Sequence, residues 1–182
     1  HNIELLAEAV RQGYHIVTTE PSAALCLTHE YLNLRDDDDS RVVAEHTSDA
    51  CSYLWSLHQY GKLKLDFNQM NVRLGYHMPC HQRALGAAAP GENLLRLVPG
   101  LTVQRLDRGC SGMSGMFGLK QANYRTSLRA GWGLISAVRE SSIQAGTTEC
   151  SSCKMQMEQG TTKPTIHPIK LLALAYGRMP QI

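Results

Sequence analysis

Apolar residues recur at helical spacing near the start of the chain, where Ile3, Leu6, Ala7 and Val10 share one face of a helix predicted over Asn2 to Gln12 and ended by Gly13. Tyr14 to Thr18 is expected to be a short buried strand, and Pro21 sits where a first helical turn tolerates it. A second helix is predicted from there toward Leu34. The run Asp36 to Asp39 lacks the alternating oxygen ligands, central glycine and late glutamate of a calcium loop and is expected to be a solvated connection. Asp49 is placed to cap a helix that runs through Tyr60. Three later stretches repeat one arrangement: Asn71 to Tyr76 leads to Cys80, Leu101 to Leu106 leads to Cys110, and Ala145 to Thr148 leads to Cys150. Each is a predicted strand followed at once by cysteine. Helices are predicted over Glu92 to Val98, Leu119 to Glu140, Cys150 to Gln159 and Ile169 to Tyr176, the last capped by His167.

Strands alternating with helices predict an α/β fold with a mostly parallel sheet of about four strands and helices on both faces. In such sheets sites gather outside the carboxyl ends of the strands. Cys80, Cys110, Cys150 and Cys153 are all expected at that edge, brought together by topology rather than by proximity in sequence. Cys150 and Cys153 are spaced CxxC, so at the start of a helix they share a face near its positive end, where thiolates are stabilised. Four thiolates placed this way suit one soft metal centre, either a cluster or a zinc ion. The glycines of the loop around Cys110, Gly109, Gly112, Gly115 and Gly118, do not fit GxGxxG and are expected to offer backbone N–H groups to that centre. His77, His81 and Ser111 lie close in sequence and are expected as supporting donors or alternative ligands.

The 182 residues, 43% of them apolar, suffice for one sizeable domain. With 18 basic and 16 acidic side chains the formal charge of +2 gives no general reason to expect a nucleic-acid partner. No apolar stretch reaches the length of a membrane helix. The six cysteines fit metal ligation in a reducing, cytoplasmic setting better than three disulfides, with Cys26 and Cys51 read as small buried side chains inside helical patterns. Because the chain opens at His1 directly into an amphipathic segment, a fragment of a longer polypeptide is expected.

Tyr76-His77-Met78-Pro79-Cys80-His81, Gly109-Cys110-Ser111-Gly112 and Glu149-Cys150-Ser151-Ser152-Cys153 together resemble the cysteine-rich CCG domain found in the iron-sulfur subunits of anaerobic glycerol-3-phosphate dehydrogenase and glycolate oxidase, in heterodisulfide reductase and in fused FAD-linked oxidases. The resemblance extends roughly over residues 14–177. It implies the tail of a first unit over 1–66 and a complete second unit over 67–182, within one compact domain. Glu20 and Ala23 stand where the first unit of the family frequently has cysteines, and Ser111 stands where the second cysteine of a pair is usual. That leaves four thiolates, enough for one [4Fe-4S] cubane or one zinc ion. The implied role is electron transfer for a flavin-linked dehydrogenase of glycerol 3-phosphate, glycolate or another 2-hydroxy acid. FAD would sit on a separate domain or subunit, with a quinone or other acceptor downstream, and the location is cytoplasmic or peripheral at the inner membrane. Two alternatives stay open: a structural zinc module, and a thiol-disulfide oxidoreductase using Cys150 and Cys153 alone.

Overall fold

The amphipathic opening segment forms α1 (Asn2–Arg11), which buries Ile3, Ala7 and Val10, in the computed structural model that describes residues 1–86 and 88–178. β1 (Ile16–Thr18) follows, half-exposed rather than buried because it belongs to a sheet of only two strands, and then α2 (Pro21–Leu25), with Pro21 in the first turn as its fixed φ and missing N–H allow. The helix continues through one wide π turn (Cys26–Glu30) into α3 (Tyr31–Leu34), where Thr28 donates its hydroxyl to the Ala24 carbonyl at 2.8 Å. The acidic run is not a connection. Asp37 accepts from the Ser40 amide and caps α4 (Asp38–Glu45), while Arg11, Arg35 and Arg41 pair with Asp39, Asp37 and Asp36. The Ser40 amide, with Arg35, holds the Asp37 carboxyl down at about 2.

β2 (Thr47–Asp49) pairs in parallel with β1, so the first predicted strand belongs to a two-stranded sheet of its own. Asp49 then caps α5 (Ala50–Gln59), accepting from the amides of Cys51 and Ser52. The larger sheet is built from β3 (Arg73–Tyr76), β4 (Thr102–Arg105), β5 (Ala145–Thr147) and β6 (Thr165–Ile166), all parallel, in the order β4-β3-β5-β6. The α/β class and the four parallel strands are as expected. The fourth strand, however, is β6 rather than the segment near Tyr14. α6 (Cys80–Ala84) and α7 (Pro90–Leu95) join β3 to β4, α8 (Tyr124–Arg139) joins β4 to β5, and α9 (Ser151–Gln159) joins β5 to β6. α10 (Pro168–Ala175) completes the described chain, with His167 Nδ1 accepting from the Ile169 amide as its cap. α8 is shorter than the predicted helix because two 3-10 turns, Phe117–Leu119 and Gln121–Asn123, precede it.

Helices cover both faces. Leu74, Tyr76, Val103 and Ala145 pack with Leu95 of α7 and Leu171 of α10 on one side. On the other, Leu106 meets Leu134, Ala137 and Val138 of α8 and Met157 of α9. Each fully buried leucine or methionine side chain among them contributes about 1.5–3 kcal/mol, and the short strands depend on this packing rather than on their own length. The opening helix makes a separate small core, Ile3, Ala7 and Val43. Among the described residues no helix is long and apolar enough to cross a membrane.

Candidate metal centre

Three neighbouring strands deliver the cysteines. β3 is central, and its last residue, Tyr76, is in register with Arg105 of β4 and Thr147 of β5. The chain therefore leaves all three strands at one height. After β3, Pro79 places Cys80 at the first turn of α6. After β4, a glycine-rich loop carries Cys110, and after β5 Cys150 becomes the cap of α9 with Cys153 one turn on. Cys80, Cys110, Cys150 and Cys153 all line one cavity of about 610 Å³ at the carboxyl edge of the sheet. Cys80 and Cys110 are exposed, Cys150 is half-buried and Cys153 is buried.

The sulfurs are supplied with hydrogen-bond donors. The Gly112 amide reaches Cys110 Sγ at 3.3 Å, the Cys153 amide reaches Cys150 Sγ at 3.5 Å, and the buried Ser111 hydroxyl donates to Cys153 Sγ at 3.2 Å. The Cys150 thiol is lowered to about 6, chiefly because the Cys153 thiol donates to it; burial and the Glu20 carboxylate oppose that shift, and the amides of Cys153 and Ser152 reinforce it. Donating that hydrogen bond, together with burial, drives the Cys153 thiol well above its ordinary range. Among the described residues no three His, Cys, Asp or Glu side chains lie close enough to hold a single ion. Four thiolates on one zinc would stand only about 3.8 Å apart, from a Zn–S bond of about 2.3 Å. Four cysteines around one cavity, with N–H and O–H groups aimed at their sulfurs, have the donor chemistry of a thiolate-ligated metal centre.

The loop that holds Cys110 is seated by small residues. Gly112 has φ +89°, and a Cβ there would lie 2.1 Å from the Ser127 carbonyl of α8; one on Gly131 would lie 2.0 Å from the Ser111 carbonyl. Ser127 donates to the Gly112 carbonyl at 2.9 Å and accepts from Gln156 of α9 at 3.3 Å, so loop and both helices are tied together. Of the four loop glycines expected at the site, Gly109 and Gly115 line the cavity, Gly112 serves through its amide, and Gly118 faces a neighbouring groove instead. His77 lies buried in the cavity wall with Nδ1 unpartnered, and burial lowers its pKa to about 4. His81 also lines the cavity, its Nδ1 at 4.0 Å from Cys80 Sγ. Cys51 is buried as expected, and Cys26 is only partly so.

Sequence patterns did not point to Ser22 and Arg83, which line the same cavity, as does Glu20 from its place at a frequent cysteine position of the resembled family. Both oxygens of Glu20 accept from the Ser151 amide, at 3.1 and 3.3 Å, placing a carboxylate on the first turn of α9. Nothing local in the sequence signals a contact between residues so far apart. Beneath the site, the buried Glu149 accepts from the Tyr76 hydroxyl at 2.9 Å, and burial raises its pKa to about 7. A carboxyl whose folded pKa lies above its unfolded one loses stability as pH rises between the two values, here from about 4.5 to about 7. Glu149→Gln is therefore expected to leave stability unchanged near pH 4 and to raise it by up to about 3 kcal/mol at pH 8. Urea unfolding at the two pH values checks this, and an equal effect at both would contradict it.

Residues 74–158 match the cysteine-rich domain family designated CCG. The chain is 34% identical over 175 residues to the C subunit of anaerobic glycerol-3-phosphate dehydrogenase from Escherichia coli strain K12, and equally to its counterpart from Escherichia coli O157:H7. Each match covers 96% of this chain and 44% of the relative, so the chain spans less than half the length of these curated proteins.

Proposed function

Since the chain belongs to the cysteine-rich CCG family through residues 74–158, we propose that it binds one [4Fe-4S] cluster through Cys80, Cys110, Cys150 and Cys153 and relays electrons for a flavin-linked dehydrogenase. The observation that carries this reading is the convergence of all four cysteines on one cavity. Bound there, the cluster supplies a one-electron carrier. The chain's own residues do the rest. Four thiolates hold the centre, the Gly112 and Cys153 amides and the Ser111 hydroxyl stabilise their charge, and the helix start at Cys150 adds positive potential. The relatives' name points to glycerol 3-phosphate as the parent enzyme's substrate, with glycolate and other 2-hydroxy acids as related choices. The flavin belongs to a partner domain or subunit, electrons pass on to a quinone or similar acceptor, and the assembly is cytoplasmic, peripheral at the inner membrane. Residues 1–66 are the remnant of a first unit: β1 and β2 are parallel and each is followed by a helix, which supports that division.

Anaerobic reconstitution of the full chain tests the reading. The expected product is brown and carries about four iron atoms and about four acid-labile sulfides per chain. A colourless protein with one zinc and no sulfide would replace it with a structural zinc module. The low Cys150 pKa and the buried Cys153 partner favour a second reading, dithiol exchange by the CxxC pair. It gives Cys80 and Cys110 no role, which is why the cluster reading stands first.

Removing the Ser111 hydroxyl withdraws a hydrogen bond from Cys153 Sγ without removing a ligand. Because reduction adds negative charge that this donor stabilises, Ser111→Ala is expected to lower the reduction potential by on the order of 50 mV, equivalent to about 1 kcal/mol of hydrogen bonding. Iron content is expected to stay at the unsubstituted level. Spectroelectrochemical titration reads the shift, and an unchanged potential would remove Ser111 from the tuning set.

A further inference from the structure

The near-zero overall charge conceals a division. Residues 1–66 hold 5 of the 18 Lys and Arg but 11 of the 16 Asp and Glu, a formal −6, while residues 67–182 hold 13 and 5, a formal +8. At the cysteine edge of the sheet the positive side chains are Arg83 in the cavity wall, Arg108 and Lys120 on the loop, and Arg125 and Arg129 one turn apart on α8. None of these five forms an ion pair among the described residues, whereas Arg11, Arg35, Arg41, Arg96 and Arg105 all do. Between them lies apolar surface: Met116, Phe117, Leu119, Tyr124, Trp132 and Met155 are each 40–71% exposed. Leu119, Tyr124 and Met155, together with Glu158, which is paired with Lys154, line a groove of about 530 Å³ that shares Met113 with the cysteine cavity.

We propose that this face, exposed apolar side chains interspersed in the chain with unpaired cations, docks an acidic flavoprotein against the cysteine cavity. The identity of the partner as a redox protein rests on the electron-relay reading; the location of the face rests on exposure and charge. Apolar centres with polar rims are the anatomy of protein interfaces, and rim charges set encounter rate and partner choice. With 13 of the 18 Lys and Arg in residues 67–182, and Glu20 the carboxylate that lines the cysteine cavity, the charge at this face favours a negative partner surface. The groove is concave, and Gln156 and Gln159 in its lining offer hydrogen-bonding groups to a protruding partner side chain. A phospholipid headgroup plane presents no such protrusion.

The test is binding of the anaerobically reconstituted full chain to a flavodoxin, an acidic flavoprotein, with cationic cytochrome c as the opposite-charge control. Flavodoxin is expected to bind with an affinity that falls about tenfold or more as salt rises from low to above physiological levels, and cytochrome c is expected to bind at least about tenfold more weakly. Arg125→Glu with Arg129→Glu is expected to weaken flavodoxin binding about tenfold, as is Phe117→Ser, with thermal midpoints unchanged. Lys62→Glu with Lys64→Glu, past the far end of α5, is expected to change it less than about twofold. Equal binding by the Arg125/Arg129 variant, equal binding of both probes, or association with anionic phosphatidylglycerol vesicles in place of flavodoxin would overturn the proposal. Iron content of the same samples separates the two claims. Docking without iron removes the cluster reading alone, and iron without docking removes this one alone.

Discussion

Cys153→Ala is expected to reduce the iron of the anaerobically reconstituted chain from about four atoms to below about one, and to abolish its visible absorption. Among the four cysteines it is the most enclosed, and it is tied to two stations at once: its amide reaches Cys150 Sγ, and its sulfur accepts from Ser111 on the Cys110 loop. A methyl group there removes the proposed ligand and leaves Ser111 inside the protein without its acceptor. Cys26→Ala is the control, since that thiol lies on the π turn after α2 and does not line the cysteine cavity. Iron retained in Cys153→Ala at the level of Cys26→Ala would mean that the CxxC pair does not ligate the centre.

Two glycines of α8 are expected to respond to alanine with opposite signs. In an ordinary helix interior, Gly→Ala stabilises by about 0.8–1 kcal/mol. At Gly133 the added Cβ has nothing closer than 3.6 Å, so that gain should appear in full. At Gly131 it would stand 2.0 Å from the Ser111 carbonyl, a backbone atom that moves only if the cysteine loop moves with it. Overpacking of this kind costs about 3 kcal/mol, which outweighs the propensity gain and leaves Gly131→Ala destabilised by about 2 kcal/mol. For a chain of this size that is roughly 4–8 °C in the thermal midpoint. The loop shift should also lower cluster occupancy, because Ser111 and Cys110 travel together. Calorimetry of the two variants reads the signs, and a stabilised Gly131→Ala would show that the loop is not seated on α8 as described.

The central strands were legible because Leu74 and Tyr76 on β3 and Val103 on β4 are apolar, flanked by turn residues, and lead into cysteine loops. Such a pattern carries its own length and direction. β2 and β6 were not legible for the opposite reason: Thr47-Ser48-Asp49 is polar, and Thr165-Ile166 is only two residues long, so both are strands because of what they pair with. α4 was hidden by its charges. Four consecutive aspartates read as solvated chain, yet Asp37 caps the helix and three arginines offset the repulsion. The site divides in the same way. A parallel sheet with cysteine after three of its strands places four thiols at one edge, but Glu20 reaches Ser151 only through the packing of the first segment on the second, which no local pattern encodes.

Iron-edge X-ray absorption of the anaerobic full chain decides whether the four thiolates hold a cluster. A first shell of sulfur only, with a distinct iron–iron shell that disappears when Cys110→Ala is reconstituted in parallel, is the predicted result. A protein that takes up no iron, or binds a lone metal ion with no metal–metal shell, would contradict it.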